Sequence, residues 1–101
     1  MSQPATTGTQ QIQIRASDEL IRGVYANAMQ VVHTKEEFVL DFMNLFPHQG
    51  VGAVTARIIT SPGHIKRILA ALAENVKRYE AQFGVIEKAS SPGEGEVGFT
   101  T

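Results

Sequence analysis

Apolar residues recur at three- and four-residue steps between Ser61 and Gly84. Ile65, Ile68, Leu69, Leu72, Val76, Tyr79 and Phe83 fall on one face of an α-helix. The stretch predicts a helix over 62–83. Ser61 is placed to cap its start, Pro62 suits the first position, and Gly84 can turn left-handed to end it. Such a helix is roughly 33 Å long at 1.5 Å per residue. With a full apolar stripe it needs a surface to lie on, and the preceding chain is expected to supply one.

That preceding chain shows a period of two instead. Phe38, Leu40 and Phe42 alternate with Val39, Asp41 and Met43, which predicts a strand over 37–45. Thr34 with Glu37 also fits the capping pattern S/T-x-x-E, so a short helix from Lys35 is the rival reading. Residues 52–60 carry β-branched Val54, Thr55, Ile58 and Ile59 and predict another strand. Strict alternation puts Val54, Ala56 and Ile58, with Thr60 at the strand end, on one face and Ala53, Thr55, Arg57 and Ile59 on the other. Residues 23–34 read as extended through Tyr25, Val31 and Val32. Pro47-His48-Gln49-Gly50 reads as a loop, and Asp18-Glu19 as a turn or an irregular segment. Residues 11–15 alternate over two isoleucines only, and fit an edge strand or a tail equally. Short connections favour antiparallel pairing, because parallel strands need a long crossover. The expected fold class is α+β: an antiparallel meander of three or four strands, then one long C-terminal helix packed on one sheet face. The expected boundaries are a disordered tail over 1–11, a single domain over 12–86 and a second disordered tail over 87–101. Val97 and Phe99 are the large apolar groups of that second tail.

Composition narrows the class. The chain has 101 residues and no cysteine. Disulfides, thiolate metal sites and cysteine nucleophiles are therefore excluded. An ordered part of some 65–75 residues buries only about 60% of its extended surface, and its stability is marginal alone. Pairing with a second copy is the simple way to enlarge the core, so a homodimer is expected. Nine basic and ten acidic residues give a formal charge of −1, without the strong basic field of a non-specific nucleic-acid binder. No apolar run approaches the roughly 20 residues that span a bilayer, so no membrane partner is expected. The first residues, MSQPATTGTQQIQ, lack the charged and apolar regions of a secretory signal, and a cytoplasmic location is the expectation.

Candidate chemistry is thin. His33, His48 and His64 do not fit a short metal-ligand motif such as H-E-x-x-H. Ser61-Pro62-Gly63 opens a helix but lacks the glycine spacing of a phosphate loop. No metal, cofactor or catalytic constellation is expected. Asp41 and Glu37 fall on one strand face without a second wall to make a cleft. Asp41 opposite Arg57 reads more simply as a cross-strand ion pair that helps set register. Lys66, Arg67, Lys77 and Arg78 form two basic pairs eleven residues apart on the long helix. They read as a solvated face or as a set of phosphate contacts, and Tyr25 could stack a base.

Taken as a set, Tyr25-Ala26-Asn27, the run from Glu37 to Phe42 (EFVLDF), Arg57, Ser61-Pro62, Lys66, Asn75, Tyr79-Glu80 and Phe83-Gly84 resemble a family of small prokaryotic proteins. That family is catalogued as a domain of unknown function. The resemblance covers 23–86, leaves both tails outside, and implies no activity. It points to Tyr25, Asn27, Asp41, Arg57, Asn75 and Glu80 as an interaction or polar cluster, with Lys66 beside them. Asn27 at a strand irregularity and Tyr79 with its ring in the core are its structural readings. The function expected is a small non-enzymatic homodimeric interaction or structural module. The alternative is a nucleic-acid-binding module using the basic face of the long helix.

Overall fold

The computed structural model describes residues 11–90. Its elements in chain order are α1 (Asp18–Arg22), β1 (Ala28–His33), β2 (Phe38–Phe46), a 3₁₀ turn at Pro47–Gln49, β3 (Val51–Thr60) and α2 (Pro62–Phe83). The strands form one antiparallel sheet in the order β1-β2-β3. The fold class is the one expected, an α+β domain in which a three-stranded antiparallel meander precedes one long C-terminal helix packed on the sheet. The expected tail over 1–11 and most of that over 87–101, with Val97 and Phe99, lie outside the described residues.

Local chemistry explains the turns. Between β1 and β2, the Thr34 amide donates to the Glu37 carbonyl, and the Thr34 hydroxyl accepts from the Glu36 and Glu37 amides. The pattern at Thr34 and Glu37 therefore closes a hairpin, and no helix starts at Lys35. Between β2 and β3, the Gly50 amide closes back on the Pro47 carbonyl. Gly50 sits at φ 68°, a left-handed conformation that glycine adopts without a Cβ penalty. Ser61 caps α2 by accepting from the His64 amide at 3.1 Å, and Gly84, at φ 104°, returns its amide to Glu80.

The structure decides one open reading here and corrects two expectations. Of the edge strand and the tail that residues 11–15 fitted equally, no strand forms, and both Ile12 and Ile14 are exposed. Asp18-Glu19 opens α1 rather than a turn. Ser17 caps it through the Leu20 amide, acidic Asp18 and Glu19 fill its first turn, and Arg22 lies in its last. The faces of β3 are also split. Register places Phe42 opposite Ala56 but Met43 opposite Val54, so Thr55 is an extra residue. This β-bulge moves Val54 onto the Asp41–Arg57 face and Ala53 onto the Asn44 face. The Thr55 hydroxyl donates to the Phe42 carbonyl at the bulge.

The protected interior is small. Among the described residues only Met43 (2% exposed), Leu40 (8%) and Asp41 (8%) are buried, all on the central strand. Apolar groups remain open on both sheet faces: Met29, Val31 and Ile58 on one, Val32, Val54 and Ile59 on the other. α2 meets the sheet through its first two turns, where Pro62, Ile65 and Ile68 are half-buried. Beyond Ile68 its apolar stripe is uncovered, so the preceding chain does not supply the expected surface along the whole helix. Only Ser61 separates β3 from α2, and a residue before proline is held extended, here at φ −79° and ψ 157°. So short a link keeps the start of α2 beside the end of β3.

Candidate interaction surface

The residues singled out from the sequence fall into three separate places. Asp41 and Arg57 are Cα partners across β2 and β3. The Arg57 guanidinium donates from Nε to Asp41 Oδ1 at 2.6 Å and from Nη2 to Oδ2 at 2.8 Å, a two-pronged ion pair. That guanidinium holds the Asp41 carboxyl below the usual carboxylate range, and Asp41 in turn raises Arg57. The pair is the cross-strand bridge expected from the alternation. A one-residue slip would separate the two charges and turn the strand over, so the pair marks the register.

Asn27 lies just before β1 and extends it with its side chain. Its Nδ2 donates to the Leu45 carbonyl at 3.1 Å, and its Oδ1 accepts from the Leu45 amide at 2.8 Å. The Asn27 amide N–H donates to the Met43 carbonyl. Tyr25 is exposed two residues earlier, and these contacts do not bring it to the Asp41–Arg57 pair.

The rest of the set is on α2. Asn75 Nδ2 donates to the Ala71 carbonyl one turn back, at 3.1 Å. Glu80 accepts through Oε2 from the Ile86 amide at 2.9 Å, which fixes the chain as it leaves the helix. Tyr79 has its ring on the open stripe rather than in a core, 5.0 Å from the Phe83 ring and tilted by 48°. Lys66 and Lys77 share one flank of the helix, about 16 Å apart along its axis. Arg67 and Arg78 share its back. Arg78 is paired with Glu74 at 3.2 Å and Arg67 Nε donates to His64 Nδ1 at 3.2 Å.

Two features were not singled out from the sequence. Asn44, half-buried on β2, has an Oδ1 without a hydrogen-bond partner among the described residues. Only the register reveals this, since Asn44 opposes Ala53, which has no side-chain donor to offer. Ser17 as a cap was legible in the run Ser17-Asp18-Glu19 with Arg22 and Gly23 behind it.

Chemically the arrangement offers little for catalysis. The side-chain pairs among the described residues are Asp41–Arg57, Glu74–Arg78 and His64–Arg67, and none joins a nucleophile to a base. Among the described residues no three His, Asp or Glu side chains come together to hold a metal ion. No helix among them is long and apolar enough to cross a membrane. The apolar stripe of α2 is open to solvent, with Leu69 64%, Leu72 60% and Phe83 66% exposed.

No curated protein and no solved structure matches the chain. A family described as "Protein of unknown function (DUF3467)" matches residues 1–88. The match takes in the N-terminal stretch that the motif resemblance left outside, and it runs through the sheet and all of α2. With most of its length matched, the chain belongs to the DUF3467 family.

Proposed function

We propose that the protein is a non-enzymatic, cytoplasmic interaction module that acts as a homodimer. One observation carries this reading: among the described residues a single copy buries two apolar side chains, Leu40 and Met43, while the helix stripe and both sheet faces stay open. Open apolar surface on that scale is a binding surface or a liability, and a second copy is always present to cover it. Native mass spectrometry on gently purified full-length protein tests it. A dimer without adduct supports the reading, and a monomer at every concentration overturns it. Bound metal or small molecule would also overturn it.

Nucleic-acid binding is the second reading, favoured by the alignment of Lys66 with Lys77 and of Arg67 with Arg78 along one helix. Contacts would be to phosphates, which carry no sequence information. Replacing all four by glutamine abolishes binding at 50 mM salt on this reading, and unchanged affinity removes it.

A further inference from the structure

The open stripe of α2 has a finer spacing than a helix lying on a sheet requires. Ile65, Leu69, Leu72, Val76, Tyr79 and Phe83 follow one another at steps of four, three, four, three and four. This is the seven-residue repeat of a helix that packs against another helix, with Leu69, Val76 and Phe83 in one series and Ile65, Leu72 and Tyr79 in the other. Ile68, the remaining member of the apolar face, lies to one side of this seam and is half-buried where α2 meets the sheet. The seam itself is uncovered from Leu69 onward.

The charges beside the seam say what covers it. Lys66 and Glu80 are two seven-residue repeats apart and occupy the same flank, with Ala73 midway between them. We infer that two copies pair through α2 in antiparallel orientation, centred near Glu74, an inference that rests on the homodimeric reading above. In that register Ile65 packs against the partner's Phe83, Leu69 against the partner's Tyr79, and Leu72 against the partner's Val76. Each Lys66 then lies opposite the partner's Glu80, and Ala73 meets its own copy on the dimer axis. A parallel pairing sets Lys66 against the partner's Ser61 and Glu80 against the partner's Asn75, and matches no opposite charges. Flanking charges of this kind choose orientation in paired helices. The antiparallel arrangement also brings exposed Val85 and Ile86 to the start of the partner's helix, beside the sheet.

The test uses the full chain in two ways. Lys66→Glu and Glu80→Lys chains each set like charges together in their own dimers, but mixed they restore two attractive pairs. The mixture is expected to favour the heterodimer by roughly tenfold, an advantage that fades with salt. The Ile86 contact of Glu80 is lost equally in both of its dimers and cancels. Because the chain has no cysteine, a nitroxide can be attached at one introduced thiol. Glu74→Cys and Ala81→Cys lie on the same outer face of α2. Antiparallel pairing adds an axial separation of about 21 Å to the second label pair and almost none to the first. A dimer that shows this difference together with the heterodimer preference bears the pairing out. Equal label distances, or no preference, overturn it while leaving a homodimer standing. A monomer throughout overturns both.

Discussion

Asn27 does with its side chain what one more peptide of β1 would do with its backbone. Its amide presents a donor and an acceptor to Leu45 at ladder distances. Asn27→Ala removes both bonds and is expected to cost about 1–2 kcal/mol by urea denaturation. Asn27→Asp keeps the acceptor and loses the donor, so it falls between. Asp41 makes a prediction about acid. Its carboxyl is held low in the folded state by Arg57. A depressed folded value means that the pair stabilises fully above the ordinary aspartate range. This contribution is lost as pH falls through the folded value. Wild type is therefore expected to lose stability below about pH 4, and Asp41→Asn to be weaker at neutral pH but flatter in acid. Thermal melts across pH 2–7 check both. The Asp41–Arg57 pair was legible because alternation gave each strand a face and a short loop gave the pairing. The paired hydrogen bonds of Asn27 and the orphaned oxygen of Asn44 were not legible. An amide's use depends on which backbone groups the register sets opposite it.

At the scale of elements, α2 was readable to its ends. Ser61, Pro62 and Gly84 are local signals, and the periodicity between them is strong. Removing the cap by Ser61→Ala is expected to cost about 1 kcal/mol and to fray the first turn, seen as faster amide exchange at His64. The strands were readable to within a residue or two, except β1, where extended propensity over 23–27 outran the ladder. The β3 bulge was hidden because a single extra residue leaves the composition of a strand unchanged. What it alters is which side chains are neighbours, and here it puts Val54 beside Met43. α1 carried clear caps but only five residues, too few for a periodic pattern to show.

For the whole molecule, the question is how so small an interior holds a fold. Among the described residues, three buried positions on one strand leave the apolar stripe of α2 and the apolar groups of both sheet faces open. On the homodimeric reading proposed above, stability is tied to association, and each tenfold increase in protein concentration is expected to add about 1.4 kcal/mol to apparent stability. The melting temperature is expected to rise by several degrees per decade of concentration. Leu72→Asp, at a position that a lone copy leaves exposed, is expected to lower it and to abolish the concentration dependence. A melt insensitive to both changes would mean that a single copy suffices. The joint at Ser61 bears on how such a molecule works. One extended residue, pinned between a strand and a proline, has no slack. Whatever grips the far end of α2 pulls on the sheet through that one residue, with no loop between α2 and Thr60 to take up the displacement.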